Sequence, residues 1–279
     1  MKVTERVEGQ QAALWNGAAG HAWVDEQALL DRLFAPFQQR LVDAVVAEAP
    51  GAVLDVGCGT GSTTLAIARA LGAAQVTGID ISVPMIAAAT ARAADAGVAA
   101  SFIRADAQDH PFEAASVDMI VSRFGVMFFD DPVRAFANLA RTARPGAALR
   151  CIAWRSAAEN PFMTAAERVA APLLPDLPPR RPDVPGQFAF ANGDRVRGIL
   201  AESGWKNVDV APLDVDCRLS EPDLLAYVSR LGPVGVALRE ADEATRARVV
   251  ATVRAALDSY MVEGECRFTA ACWTIDARA

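Results

Sequence analysis

Histidine is scarce in this sequence, which contains two, His21 and His110. A zinc site built from histidines would need more of them, which argues against this class of metal site. The five cysteines include no C-x-x-C pair, and the first fifteen residues hold no apolar run long enough for a secretory signal. We therefore predict reduced thiols, a cytoplasmic location and no bound metal.

Long apolar runs and basic runs are also missing. No stretch approaches the roughly 18 uninterrupted apolar residues that a membrane-spanning helix needs. Acidic side chains outnumber basic ones by 34 to 27, and five consecutive Lys or Arg residues do not occur. Because nucleic-acid binders normally carry a basic face, we predict a small-molecule substrate, no nucleic acid and no membrane span. Monomer and homodimer both remain open.

Strands alternate with helical patterns over residues 50–154. The pattern predicts strands at 53–56, 75–80, 100–105 and 117–122, and helices at 63–71, 83–96 and 132–142. Residues 144–154 predict a turn that leads into a further strand. This alternation is typical of βαβ units, which form a parallel sheet with helices on both faces.

The flanking segments differ from this pattern. Residues 1–35 and 36–49 look helical, with an interruption at "WNGAAG" (15–20). Residues 155–193 hold seven of the sixteen prolines and form an irregular excursion. The later chain predicts helices at 194–202, 221–238 and 242–263, and strands at 208–219 and 267–277.

The segment "DVGCGTG" joins the first strand to the first helix of the alternating region. Gly57, Gly59 and Gly61 let the backbone turn sharply and let a ligand approach without a Cβ in the way. Dinucleotide-binding loops have the spacing G-x-G-x-x-G/A, and here Ser62 occupies the third position. Both a dinucleotide and a ligand without phosphate remain open on this spacing.

Acidic residues follow the next two strands. Asp80 ends the second strand, nineteen residues after Gly61, where a carboxylate can accept hydrogen bonds from both ribose hydroxyls. Asp106 follows the third strand and can accept an adenine amino group. Because the carboxyl ends of parallel strands share one edge, these groups would meet the glycine loop there.

Four successive motifs carry a family resemblance. The segments "VLDVGCGTG", "VTGIDIS", "ADAQDHPFEAASVDMIVS" and "RPGAALRCIAW" resemble those of class I S-adenosylmethionine-dependent methyltransferases, nearest to the ubiquinone/menaquinone-biosynthesis branch. The resemblance implies an α/β fold: a Rossmann-like three-layer sandwich whose seven-stranded, mostly parallel sheet has an antiparallel last strand. It would be one domain, divided into a helical lid (1–49), a cofactor-binding core (50–154), cap insertions (155–193 and 220–266) and sheet-completing segments (194–219 and 267–279).

The resemblance also implies S-adenosyl-L-methionine as cofactor, with S-adenosyl-L-homocysteine as product. The cofactor would contact the glycine loop, the strand ends and two lid tryptophans: Trp15, Trp23, Asp55, Gly57, Gly59, Thr60, Gly61, Asp80, Ile81, Met85, Asp106, Ala107, Gln108 and Ser122. The substrate would contact Arg123, Phe124, Met127, Trp154, Phe162, Arg230 and Tyr260. His21 and Arg123 are the candidate catalytic residues.

The predicted reaction is transfer of a methyl group to an O, N or C nucleophile of a small apolar or aromatic metabolite. Positioning and removal of water would provide most of the catalysis. Two other readings remain, an NAD(P)-linked oxidoreductase and a catalytically inactive cofactor-binding protein. The oxidoreductase is disfavoured because a Tyr–Lys acid would need one of two tyrosines, both late in the chain.

Overall fold

The computed structural model describes residues 9–180 and 184–279. The first eight residues of the predicted helical segment 1–35, and Pro182 of the proline-rich segment, lie outside the described residues. The described residues begin with three helices, α1 (Gln10–Asn16), α2 (Ala18–Asp25) and α3 (Gln27–Glu48). The predicted interruption occurs at Gly17, between α1 and α2. A separate helix from residue 36 was the wrong prediction, because α3 runs straight through Pro36. Its buried apolar stripe continues on both sides of that proline.

Within these described residues, eight strands form one sheet. They are β1 (Ala52–Val56), β2 (Gln75–Asp80), β3 (Ser101–Arg104), β4 (Val117–Arg123), β5 (Ala143–Trp154), β6 (Lys206–Ser220), β7 (Met261–Val262) and β8 (Glu265–Arg278). Seven lie in the order β3-β2-β1-β4-β5-β8-β6, and the two-residue β7 pairs with β8. Because β8 alone runs antiparallel to its neighbours β5 and β6, the predicted mostly parallel sheet with an antiparallel last strand is confirmed.

Helices cover the sheet and build the late segments. They are α4 (Ser62–Leu71), α5 (Val83–Ala96), α6 (Pro132–Thr142), α7 (Pro161–Ala170), α8 (Gly193–Glu202), α9 (Glu221–Arg230), α10 (Gly232–Leu238) and α11 (Glu243–Ala256). Side-chain oxygens of Ser82 and Asp131 cap α5 and α6, which satisfies N–H groups that the helix leaves unpaired. Helix α7 lies inside residues 155–193, the segment that was predicted to be irregular because of its prolines.

Two late helices are shorter than their patterns predict. The expected helix over 221–238 is interrupted because Leu231 is extended and Gly232 has φ +66°. The expected helix over 242–263 stops at Ala256, since Glu263 and Gly264 form the two-residue turn of a β7–β8 hairpin. Both turn residues have positive φ, as such turns require.

The strand order reverses between β1 and β4. From β1 the chain proceeds through β2 to β3 on one side, then returns to β4 on the other. Ligands bind in open α/β sheets at the carboxyl ends of the strands flanking this point. All five residues of β1 are buried, so the loops that follow it stand on a packed base. In the part of the chain described, no helix has the length and apolar character to cross a bilayer.

Candidate active site

A cavity lies at the carboxyl ends of β1, β2 and β4, and α1 and α2 contribute to its wall. We call it the first cavity. It brings together many of the predicted site residues: Trp15, Trp23, Gly57, Gly59, Thr60, Asp80, Ile81, Met85, Asp106, Ala107, Arg123 and Phe124. The edge of the sheet predicted from the sequence is therefore the edge where these residues meet.

The glycine loop is fixed by its backbone conformation and by close packing. Gly57 has φ +68°, and a Cβ added to it would lie 2.6 Å from the Cα of Gly125. The N–H groups of Gly57 and Cys58 donate to the carbonyl of Ile79 at 2.9 and 3.1 Å. Loop, β2 and the segment after β4 are thus in direct backbone contact, which leaves no room for a side chain at residue 57.

Gly61 packs against α5 and β3. It was expected against the ligand, but it does not line the first cavity. A Cβ on Gly61 would lie 2.9 Å from the Cβ of Ala89 and 3.0 Å from the ring of Phe102. The third glycine of G-x-G-x-G therefore allows α4 to start close against α5 and β3.

Asp80 links the end of β2 to the glycine loop. One carboxylate oxygen accepts the Gly59 N–H at 2.9 Å, and the other accepts the Ser82 N–H at 2.9 Å. Burial raises the pKa of Asp80, and these backbone donors act in the opposite direction. Each oxygen keeps a lone pair beyond the one it uses, so the carboxylate can still accept hydrogen bonds from a ligand in the cavity.

Asp106 and its neighbours form the far wall. Asp106 accepts the Gln108 N–H at 2.9 Å, and burial raises the pKa of its carboxyl group. The side chain of Gln108 accepts the N–H of Asp131 at 2.8 Å. Gln108 was predicted to contact the cofactor, but it does not line the cavity; its amide is engaged at the start of α6.

Asp55 and Ser122 lie beneath the loop and outside the cavity lining. Asp55 accepts the Thr64 hydroxyl at 2.7 Å, and burial raises its pKa to about 6. Ser122 donates to the Val56 carbonyl at 2.7 Å and accepts the Gly125 N–H at 3.2 Å. Direct ligand contact was predicted for both, whereas each side chain forms hydrogen bonds to other residues beneath the loop.

Sequence reasoning missed a contribution from α3. Its residues Leu30, Asp31 and Phe34 line the first cavity. Asp31 accepts Arg92 Nη2 at 2.6 Å, and Arg92 also donates to the Thr60 carbonyl at 2.7 Å. This chain of contacts ties α3 to the glycine loop. The available signal was an acidic residue between apolar neighbours in "LLDRLF", which does not reveal its partner.

The α1–α2 turn is attached to the start of α5. Ser82 donates to the Trp15 carbonyl at 2.7 Å, and the Val83 N–H donates to the Asn16 side chain at 2.8 Å. Trp15 meets Trp23 edge-on, with 5.7 Å between ring centroids. These contacts hold both tryptophans over the first cavity.

A second cavity, of ≈ 940 Å³, adjoins the first. Its wall includes the predicted residues Met127 and Trp154, together with parts of α1, α2, α9 and α10 and residues 173–178. We call the residues that line both cavities the neck: Trp15, Trp23, Leu30, Phe34, Phe124 and Phe128. Every neck side chain is apolar or aromatic, so the boundary that the two cavities share carries no charged side chain.

Besides Gly61, Gln108, Asp55 and Ser122, four further predicted residues line neither cavity. Phe162 stacks on Phe268 with ring centroids 3.8 Å apart, and the Tyr260 ring meets Phe162 edge-on. Arg230 pairs with Glu26 at 2.7 Å. His21 is exposed and its Nδ1 lies 2.9 Å from the Gly17 carbonyl, within its own helix. Packing, an ion pair and a local hydrogen bond respectively account for these side chains.

No cluster of three or more metal-ligating side chains occurs within residues 9–180 and 184–279. The five cysteines are free, and all are buried. The polar lining of the two cavities consists mainly of carboxylates and backbone groups, with one arginine in each cavity, and aromatic rings line both.

A family model described as a methyltransferase domain matches residues 53–146. Nocamycin O-methyltransferase from Saccharothrix syringae is 30% identical over 205 residues, which cover 70% of this chain and 72% of the relative. Demethylmenaquinone methyltransferase from Thermus thermophilus is 33% identical over 126 residues, or 43% of this chain and 57% of the relative.

One similar solved structure is that of Haemonchus contortus phosphoethanolamine N-methyltransferase 2 in complex with S-adenosyl-L-methionine. It aligns with a TM-score of 0.59 at 17% identity, covering 98% of this chain and 60% of that one. At this identity the likeness concerns the fold, and it extends over nearly the whole chain.

Proposed function

Since the chain belongs to the class I S-adenosylmethionine-dependent methyltransferases, we propose that its first cavity holds the cofactor and its second cavity the methyl acceptor. S-adenosyl-L-methionine is the cofactor, and the reaction is methyl transfer. The acceptor is a bulky, largely apolar or aromatic small molecule. The observation that carries the cofactor assignment is the Asp80 carboxylate, which joins the glycine loop to β2 and faces the cavity.

The residues of the first cavity fit the parts of this cofactor. Asp80 would accept from the ribose hydroxyls, with Ile81 and Met85 against the adenosine. Asp106 and Ala107 would hold the adenine edge. The backbone of Gly57, Gly59 and Thr60 would hold the amino-acid part, and Asp31 would attract its ammonium group. Those residues are the proposed cofactor contacts: Gly57, Gly59, Thr60, Asp80, Ile81, Met85, Asp106, Ala107 and Asp31.

The neck provides the conditions that methyl transfer needs. When bound, the cofactor supplies a methyl group already activated on a sulfonium. The chain then has to align the acceptor and exclude water, and both effects lower the barrier to in-line displacement. The six neck side chains do this with apolar surface. Electron-rich ring faces also suit a cationic centre, so Phe34 and its aromatic neighbours would favour the sulfonium.

The N-terminal helices would act as a lid, and α9 and α10 as part of a cap. Lid and cap are joined by ion pairs, since Arg230 pairs with Glu26 at 2.7 Å and Arg32 with Asp223 at 2.6 Å. Both cavities lie between these helices and the sheet.

Calorimetry with the purified protein tests the proposal. We expect S-adenosylhomocysteine to bind with micromolar or tighter affinity and NAD to show no binding. Binding of NAD without S-adenosylhomocysteine would overturn the assignment and favour an oxidoreductase. Formation of S-adenosylhomocysteine from S-adenosylmethionine with screened aromatic hydroxyl compounds then separates an enzyme from an inactive binding protein.

Replacing Arg92 with methionine should weaken S-adenosylhomocysteine binding roughly fivefold, or by about 1 kcal/mol. The change removes the donors to Asp31 and to the Thr60 carbonyl, which hold α3 against the loop. Calorimetry on both proteins measures the effect. Arg40→Met is the matched control, because Arg40 is exposed on α3 and should bind like wild type. An Arg92 variant that binds as tightly as the control would remove this linking role.

A further inference from the structure

Arg123 ends β4 as a partly buried cation. Its guanidinium donates to the Phe34 carbonyl at a long 3.4 Å and lies 5.5 Å from the centroid of the Phe34 ring. Among the described residues it forms no ion pair, although Asp55 and Asp31 both attract it and Arg92 repels it. Asp31 is engaged by Arg92 and Asp55 by Thr64. A buried charge without a paired partner is costly, which makes this guanidinium a natural receptor for an anion.

The position of Arg123 relates it to the neck. Phe34, which lies beneath the guanidinium, lines both cavities, and so does the next residue, Phe124. Phe124 has φ +64°, a conformation that side chains with a Cβ rarely adopt. Its ring stacks on Trp154 with centroids 4.6 Å apart, and its N–H donates to the Ile152 carbonyl. Strain of this kind persists where the surrounding packing holds it, commonly at functional sites.

The titratable groups of the second cavity are committed to other partners or lie toward the outside. Arg180, the cation that lines the second cavity, pairs with Glu167 at 2.6 Å. Tyr227 donates to Met163 Sδ, and burial raises the pKa of Tyr227 to about 12, so it does not serve as a base at neutral pH. The remaining titratable side chains of the second cavity, all exposed, are Asp176, Glu240 and Asp242.

We propose that the acceptor is an acidic hydroxyl compound, a phenol or an enol, and that Arg123 binds its oxygen as the anion. This inference rests on the proposed function and narrows it to O-methylation. The apolar body would fill the second cavity, while the oxygen passes through the neck toward Arg123. The guanidinium would lower the pKa of the bound hydroxyl, which replaces a general base. Arg123 is thereby a substrate-binding catalytic residue.

The step balances without another reactant. The hydroxyl proton leaves to water as the acceptor binds. The oxygen then forms an O–CH₃ bond as the S–CH₃ bond of the cofactor breaks, and the bonding electron pair stays on sulfur. The products are a methyl ether and S-adenosylhomocysteine. The anion's charge and the sulfonium charge disappear together, and Arg123 keeps its proton throughout.

A chromophoric phenol tests this assignment, because the pKa of the bound phenol would not change if Arg123 had only a structural role. The probe is 4-nitrophenol, whose phenolate absorbs visible light, titrated with pH in the presence of protein saturated with S-adenosylhomocysteine. We expect the pKa of the bound probe to fall about one unit below that of the free probe. Arg123→Lys, which keeps the charge, should retain part of the shift, and Arg123→Met should abolish it. Arg40→Met, an exposed control, should retain it.

Several outcomes overturn the assignment. The pKa of the bound probe could stay unchanged or rise in the wild type, which needs no variant and so does not depend on how variants fold. The probe could fail to bind at millimolar concentration, or shift equally in Arg123→Met. If Arg123→Met weakens S-adenosylhomocysteine binding tenfold and leaves the probe's shift unchanged, Arg123 serves the cofactor instead. Failure of the wild type to bind S-adenosylhomocysteine would refute the proposed function itself, which is a separate result.

Discussion

Replacing Asp80 with alanine is expected to weaken S-adenosylhomocysteine binding at least tenfold, a loss of about 1.4 kcal/mol or more. The proposed ribose contacts are hydrogen bonds to a charged group, each worth about 1.5–3 kcal/mol. The same change leaves the N–H groups of Gly59 and Ser82 without their acceptor. Both effects act in the same direction, because the glycine loop loses its attachment to β2 at the place where it would contact the ligand.

Asp80→Asn separates the two contributions. Asparagine has nearly the same volume and one acceptor oxygen, but its NH₂ would face one of the two backbone donors. We expect binding intermediate between the wild type and Asp80→Ala, measured by calorimetry at constant pH. Asp95→Asn is the control, since Asp95 is exposed on α5. If Asp80→Ala binds as tightly as this control, the ribose role of Asp80 is refuted.

The sequence could predict this part of the site because the determinants are local. Each strand and the loop after it are contiguous in the chain, and parallel strands bring their carboxyl ends to a common edge. Asp80, Asp106 and the loop glycines could therefore be assigned to one place without knowledge of any side-chain contact. Asp80, Asp106, Gly57 and Gly59 do line one cavity, whereas Gly61 does not.

The roles of the neighbouring residues depend on side-chain direction and on contacts with other elements, and a sequence motif contains neither. Successive strand residues point to opposite faces, so Arg123 lines the cavity while Ser122 turns toward Val56 and Gly125. A motif containing both residues does not distinguish them. Gly61 is similar, since its role is set by the approach of Ala89 and Phe102 from other elements.

The contribution of α3 to the first cavity could not be predicted from the sequence, and neither could the second cavity. Asp31 meets Arg92 across sixty-one residues of sequence, and single-sequence periodicity carries no information about such a pair. The second cavity depends on where the late helices break, and one break comes from Gly232 in the left-handed region. For aromatic residues of the insertions, such as Phe162, the sequence does not distinguish a residue that lines a pocket from one that packs on β8. The 3.8 Å stack on Phe268 is a tertiary contact.

Gly125 offers the second large effect, and its cause is steric. Its backbone is helical, with φ −85°, so alanine meets no conformational strain there. An added Cβ would lie 2.6 Å from the Val56 carbonyl oxygen and 2.7 Å from the Gly57 Cα. Both obstacles are backbone atoms of β1 and the glycine loop. Gly125→Ala must therefore push the segments after β1 and β4 apart.

We expect Gly125→Ala to lower the free energy of unfolding by about 1–3 kcal/mol, the usual cost of overpacking. S-adenosylhomocysteine binding should fall as well, because the displaced loop forms the cavity wall. Gly198→Ala is the matched control: Gly198 lies within α8, and an added Cβ would meet nothing within 4 Å. Alanine there should stabilise the protein by about 0.5–1 kcal/mol, since glycine is a poor helix former.

Denaturant unfolding of both variants, with calorimetry against S-adenosylhomocysteine, tests the contrast. The same chemical change should have opposite signs at the two positions, and only Gly125→Ala should affect the ligand. Equal unfolding free energies for the two variants would show that the contact between the loops can relax at little cost. In that case the close approach of Gly57 and Gly125 would not fix the cavity, and the rigidity of the loop would have to come from Asp80 and its two backbone donors.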